Sequence, residues 1–306
     1  MNNYKFEAAQ RYSHQGFHNK AIDTLKELLA DDPNNAIYHG LLSANLLAKG
    51  RVYAAEYELK IALNIDPAVS YFYLVMARIC IFKKNLKQAF DSCNEALALN
   101  VESAEAFLIK SNIYQMLDKR KESLECIQNA AQCEPESIDV AVAFGEFYLA
   151  QNNFNKADKF VRDALHEDAQ DEDANLLMGN LQLKLGNIEE AEYHAKFVIL
   201  QNPENQAALR LFSNIKLRKN ILFGLWWRFN SKVASLSNVK SSLVLISAFL
   251  IFSVLSQIIG DLGYDSLAKS VSYTWLILVI YSWIGIPYYN KTLKKELEKF
   301  SFNPHF

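Results

Sequence analysis

The sequence predicts an all-α protein in two parts, an array of helical repeats followed by a transmembrane helical hairpin. Gly and Pro number only 10 and 6 among 306 residues, which is few for a loop-rich or all-β chain. Two segments near the C-terminal end, 241–260 and 270–290, contain no charged residue. Four of the six prolines are separated by multiples of 34 residues, namely Pro33, Pro67, Pro135 and Pro203.

Small residues recur with the same period of 34 residues at three further positions. Small side chains at fixed offsets are needed where two helices approach closely, and a fixed period is typical of stacked helical repeats. The frame gives six units without an insertion: 2–35, 36–69, 70–103, 104–137, 138–171 and 172–205. The first set is Ala21, Ala55, Ala89, Ser123, Ala157 and Ala191; the second is Ala9, Ser43, Ala77, Ser111, Gly145 and Gly179; the third is Leu28, Ala62, Ala96, Ala130, Ala164 and Val198.

This pattern resembles the tetratricopeptide repeat (TPR) family over about two-thirds of the chain. The fifth unit carries the motif as Gly145, Tyr148, Ala157, Val161 and Ala164. The departures are the missing Trp at the usual first aromatic position and the Val and Ala that replace Pro at positions 101 and 169. The resemblance implies helix pairs stacked into a right-handed superhelix with a concave groove. It also implies a capping helix over residues 206–219, so the solenoid is expected to cover 1–218.

The resemblance implies that the first helix of each unit lines the groove. Some family members clamp a C-terminal carboxylate with Lys and Asn side chains, but the corresponding positions here are Phe6, Gly40, Leu74, Leu108, Val142 and Leu176. We therefore expect an apolar groove for a peptide or helix of a partner protein. The alternative is a tighter superhelix that buries the same side chains. The candidate lining residues are Leu41, Leu47, Val75, Arg78, Ile81, Phe82, Ile109, Asn112 and Met116.

The uncharged segments 241–260 and 270–290 are 20 and 21 residues long. A helix of that length crosses the roughly 30 Å hydrocarbon core of a bilayer. Nine residues join them, so the two helices would run antiparallel as a hairpin. Two buried core helices are the alternative, although core helices are seldom this long and this free of charge.

The charge distribution indicates how the hairpin would be oriented. Residues 216–306 carry 11 basic and 4 acidic residues, a net +7, while the rest carries 21 and 30, a net −9. Ten of these 11 basic residues flank the two spans, in 216–240, which includes the juxtamembrane segment 219–240, and in the tail 291–306. The loop has only Lys269, beside Asp261 and Asp265, which predicts cytoplasmic N- and C-termini for a two-span membrane protein. The acidic body argues against nucleic-acid binding. The predicted lipid-interface residues are Trp226, Trp227, Arg228, Trp275 and Trp283; a short helix packed on the last repeat is the alternative for 221–229.

No pattern indicates catalysis or a bound metal or cofactor. The chain has no P-loop, GxSxG, GxGxxG or HExxH motif. His14 and His18 flank the predicted turn of the first unit, and the acidic run 167–173 lacks the glycine and spaced oxygens of a calcium loop, so we expect its Asp residues to cap a helix. The four cysteines have no zinc spacing and are expected to be small buried residues.

Together these features predict a non-enzymatic adaptor or scaffold that holds a partner segment at the cytoplasmic face of a membrane. Anchoring would raise the local concentration and so strengthen weak binding. The alternative is an accessory or regulatory subunit of a membrane enzyme or export complex, docked through its hairpin.

Overall fold

The computed structural model describes residues 2–203, 205–219 and 238–274. The chain divides into two compact units, Met1–Leu211 and Phe212–Phe306, and each is described by itself. Every element in the described ranges is a helix or a turn, as the low Gly and Pro content predicts.

Residues 2–203 form six consecutive helix pairs, and the first helix of each pair begins 34 residues after the previous one. A further helix, α13 (Gln206–Lys219), covers the residues expected to cap the array. The pairs are α1 (Asn2–His14) with α2 (His18–Asp31), α3 (Ala36–Ala48) with α4 (Val52–Ile65), α5 (Ser70–Phe82) with α6 (Leu86–Leu99), α7 (Ala104–Met116) with α8 (Arg120–Cys133), α9 (Ile138–Ala150) with α10 (Phe154–Glu167), and α11 (Glu172–Leu185) with α12 (Ile188–Gln201).

The turn inside each pair contains one residue with positive φ, again at 34-residue intervals. Three of these are glycines, at 16, 50 and 186, and three are not: Lys84, Asp118 and Asn152 have φ of 58°, 55° and 59°. This left-handed conformation ends the first helix and redirects the chain into the second. Side-chain caps then start several helices; the Asp171 carboxylate, for example, accepts the backbone N–H of Ala174 at 2.7 Å.

The small residues at the three repeating positions lie where the two helices of a pair approach each other. Ala21, Ala55 and Ala89 have no exposed surface, nor do their equivalents in the later units. The Ser43 hydroxyl donates to the backbone oxygen of Ala55 at 2.7 Å. Successive units are equally close, since a Cβ added at Gly145 would lie 2.5 Å from Leu177 Cδ2. The period is therefore a steric requirement of close helix packing.

The array curves until its first turn meets the end of its sixth pair. A Cβ added at Gly16 would lie 2.5 Å from Nδ2 of Asn202, so no larger residue fits there without a shift. Asn205 donates to the Glu172 carboxylate at 2.6 Å, and Asn202 donates to the same oxygen at 3.3 Å. The loop that follows α12 is thus fixed beside the α1–α2 turn.

Residues 238–274 of the second unit form a helical hairpin. Helix α14 (Asn238–Asp261) is followed by a turn at Gly263 and by helical residues 265–274. The Ser256 hydroxyl lies 2.8 Å from the backbone oxygen of Ala268 and 2.8 Å from the Ser272 hydroxyl.

The first predicted span, 241–260, falls within α14, and most of the second, 275–290, lies outside the described residues. Among the helices in the described ranges, none combines the length and apolarity required to cross a bilayer. The structure therefore does not show the predicted transmembrane hairpin.

Candidate functional site

The first helices of the second to fourth pairs bring six of the nine predicted groove residues around one cavity of about 350 Å³. Helical spacing places residues 75, 78 and 82 on one face of α5, and α3 and α7 supply the walls on either side. The six are Leu47, Val75, Arg78, Ile81, Phe82 and Asn112, and Ala44 and Ala48 complete the lining.

The side chains that line this cavity differ in exposure: some form its open surface and others pack beneath it. Phe82 is 60% exposed, whereas Val75 has no exposed surface and Leu47 is 5% exposed. Leu41 is half-buried in the core formed by the first three pairs, and Ile109 is buried in the next cluster. Met116 is exposed but does not line this cavity. Some of the predicted residues therefore pack the core, and others remain open.

One of the two polar residues that line this cavity has a charged partner on the next helix pair. Arg78 of α5 forms an ion pair with Glu105 of α7. Burial raises the pKa of the Tyr71 phenol, which is close enough to Arg78 and Glu105 to feel both charges. The Arg78 guanidinium is thus already neutralised, and the exposed surface beside it is mostly apolar.

A second cavity, of about 1320 Å³, adjoins the first and is lined by residues from opposite ends of the array. Its walls are the α1–α2 turn, the end of α3, the loop before α11 and the loop after α12. Leu47, Ala48 and Phe82 line both cavities. An apolar surface on the second and third pairs therefore continues into the space that the closure of the array encloses.

Asp168, Asp171, Glu172 and Asp173 line the far wall of the second cavity. The carboxylates of Asp139 and Glu146 do not line it but are close enough to interact electrostatically with Asp173. Burial, reinforced by the charges of Asp171, Asp139 and Glu172, raises the pKa of Asp173 to about 6. Burial and then the charge of Asp173 likewise raise the pKa of Glu146. Although the Asp173 side chain has exposed surface, the surrounding concave wall displaces enough water to penalise its charged form.

This acidic wall is absent from the predicted site, yet the repeat frame contains a signal for it. Asp139 and Asp173 occupy equivalent positions 34 residues apart, and Glu146 occupies the position equivalent to Arg78 and Asn112. In the acidic run 167–173 only the helix-capping role was expected, and Asp171 does fill it. The charge at position 173 serves no such cap.

His14 ends α1, and His18 begins α2 with its Nδ1 at 2.9 Å from Oδ1 of Asn45. In the described ranges no group of three or more His, Cys, Asp or Glu side chains is arranged to hold a metal ion. Three of the four cysteines, Cys80, Cys93 and Cys126, are buried as expected, whereas Cys133 is only half-buried. Burial raises the pKa of Cys93 to about 12. The five predicted lipid-interface residues, Trp226, Trp227, Arg228, Trp275 and Trp283, lie outside the described residues.

No protein-family model matches the chain, and no curated protein matches it. Solved structures, in contrast, do match this chain. The structure of the APC/C hetero-tetramer Cut9-Hcn1 has a TM-score of 0.60 at 11% identity, over 89% of this chain and 52% of that one. TTC0263, a TPR protein of Thermus thermophilus, has a TM-score of 0.47 at 16% identity, over 71% and 100%. YrrB, a TPR protein with an unusual peptide-binding site, has 0.36 at 19%, over 61% and 96%.

At these identities the likeness bears on the fold alone. Residues 2–201 form an all-α, TPR-like array of helix-turn-helix pairs.

Proposed function

We propose that this chain is a non-enzymatic adaptor whose repeat array holds a segment of a partner protein on its concave surface. The observation that carries the proposal is the apolar cavity between α3, α5 and α7, where Phe82 remains 60% exposed although the residues beneath it are packed. An exposed aromatic side chain above a formed apolar pocket is typical of surfaces that bind a partner.

The second part of the proposal is that the C-terminal region anchors the array to a membrane, with both termini on the cytoplasmic side. This part rests on the sequence: two uncharged segments of 20 and 21 residues, flanked by cations on their outer sides. Attachment would restrict the array to a surface and so increase the effective concentration of a partner at the same membrane.

A photo-crosslinking amino acid placed at Phe82 in the full-length chain tests the binding site directly. Tyr53 of α4 is the matched control, because it is also an exposed aromatic residue but lies outside both cavities. We expect a defined adduct from position 82 and none from position 53. Equal adducts at both positions, or none at 82, would contradict a binding site in the cavity.

A second experiment, with the variant Phe82→Asp, distinguishes an adaptor that binds its partner through the repeat array from a subunit that docks through its hairpin. We expect Phe82→Asp to abolish capture of the crosslinked partner, because a carboxylate would have to be buried against an apolar side chain. The matched control Tyr53→Asp should retain the partner. If the partner is retained by Phe82→Asp and by residues 212–306 alone, the hairpin is the docking surface.

A further inference from the structure

The chemistry of the two joined cavities restricts the kind of segment that fits them. We propose that the bound partner segment carries an apolar side chain for the cavity at Phe82 and, close to it in sequence, a lysine or arginine that pairs with Asp173 and its neighbouring carboxylates. This inference rests on the proposed function, because it names the chemistry of the segment that the adaptor would hold.

The first step of the argument is that the two surfaces are continuous. Leu47, Ala48 and Phe82 line both the apolar cavity and the larger one. An extended segment with a side chain in the smaller cavity can therefore continue into the larger cavity without leaving the protein surface. The larger cavity has ample room, about 1320 Å³, for a long basic side chain.

The second step distinguishes carboxylates that the fold uses from those that it does not. Asp171 accepts the N–H of Ala174 as a helix cap, and Glu172 accepts hydrogen bonds from Asn202 and Asn205. Asp173 has no such role. Within the described ranges, no Lys or Arg forms an ion pair with Asp139, Glu146 or Asp173.

The third step is that the charges on this wall reinforce one another. The neighbours that shift the pKa of Asp173 are all carboxylates, those of Asp171, Asp139 and Glu172. Arg210 and Lys49 also line the larger cavity, but neither is among the charges that act on Asp173. The negative potential therefore persists at this wall, and a cation supplied by the partner would relieve both the repulsion and the loss of hydration.

Selection from a display library of short random peptides with the full-length chain in detergent tests this proposal. We expect the enriched peptides to combine Lys or Arg with a nearby aliphatic or aromatic residue. Affinity of one enriched peptide is then measured for the wild type, for Asp173→Asn and for the control Asp91→Asn, an exposed carboxylate on α6 outside both cavities.

We expect Asp173→Asn to weaken binding about three- to tenfold and to flatten its salt dependence, while Asp91→Asn changes neither. The Asn variant removes a penalised charge, so its folding should not suffer, and a melting curve checks this. Enriched peptides without a cation, or an unchanged affinity of Asp173→Asn, would overturn the proposal.

Two further measurements with the enriched peptides distinguish failure of the proposed function from failure of this inference. If no peptide is enriched, or if Phe82→Asp still binds the enriched peptides, the proposed function itself fails. If calcium chloride alone displaces the peptide from the wild type and not from Asp173→Asn, the carboxylates bind a metal ion, and the inference of a basic partner segment is wrong.

Discussion

The hydroxyl groups of Ser111 and Ser123 lie 2.9 Å apart inside the fourth helix pair, where both residues are almost fully buried. In the third pair the equivalent residues are Ala77 and Ala89, which have no exposed surface. At the same close contact between the two helices of a pair, the fourth pair therefore has a hydrogen bond and the third pair has an apolar contact.

Replacing one partner of the serine pair should cost more than replacing both. Ser111→Ala leaves a buried Ser123 hydroxyl without this partner, which we expect to destabilise the array by about 1–2 kcal/mol. The double variant Ser111→Ala/Ser123→Ala reproduces the third pair and should recover most of that loss. Urea unfolding of the four proteins of the cycle measures the coupling. Additive losses would show that the two hydroxyls do not depend on each other.

Lys84 occupies the left-handed turn position that glycine fills in three other pairs, with φ of 58°. We expect Lys84→Gly to stabilise the array by about 0.5–1 kcal/mol, because relief of the left-handed strain outweighs the added chain entropy of glycine. The neighbouring exposed residue Lys87, in the first turn of α6, is the control; its change to Gly should destabilise instead. Thermal melting compares the two, and a loss of stability in both would refute the strain argument.

Asp173→Asn should raise stability near neutral pH. The folded-state pKa of Asp173, about 6, lies above its ordinary value of 3.8, so the folded state retains the proton longer than the unfolded state does. The contribution of Asp173 to wild-type stability therefore falls as the pH rises from about 4 through 6. Solvent screening and the favourable helix dipole at α11 reduce the gain of the variant to about 1 kcal/mol at pH 7. Melting temperatures measured against pH should converge below about pH 4; a constant gap would exclude titration of Asp173 as the cause.

The orientation of the proposed membrane hairpin can be read from cysteine accessibility. In a variant without Cys80, Cys93, Cys126 and Cys133, we expect a cysteine at Ser266 to react with an impermeant thiol reagent added to the non-cytoplasmic side. A cysteine at Asn303 should react only after the membrane is permeabilised. Reaction at 303 without reaction at 266 would show the opposite orientation. Release of the chain by alkaline carbonate would show that it is not an integral membrane protein.

Because Val75 is buried, we expect a charged substitution at this position to affect the stability of the array rather than partner binding alone. Because Val75 has no exposed surface and packs in the core of the first three pairs, we expect Val75→Glu to lower the melting temperature about as much as Ala89→Glu does. Phe82→Asp, at the exposed last residue of the same helix, should leave it nearly unchanged. A Val75→Glu protein that melts normally would place this side chain in the groove rather than in the core.

Sequence alone determined the frame of the array. The recurrence of Ala21, Ala55 and Ala89 gave the period, and the period gave the position of each helix pair. This works because close packing of two helices requires a small residue at the same position of every unit, whatever the neighbouring units contain. Six residues of the apolar cavity were expected as well, because the resemblance to TPR proteins implies that the first helix of each unit lines the groove.

Only the tertiary structure decided which of those side chains stay open, since exposure depends on how tightly successive pairs pack. Val75 and Phe82 share a face, yet only Phe82 is exposed. The closure that brings Gly16 against Asn202 is likewise a sum of small rotations over six pairs, which no single motif encodes. That closure joins the apolar cavity to the wall of Asp173, so the electrostatic character of the proposed site arises from residues far apart in sequence and close only in the folded array.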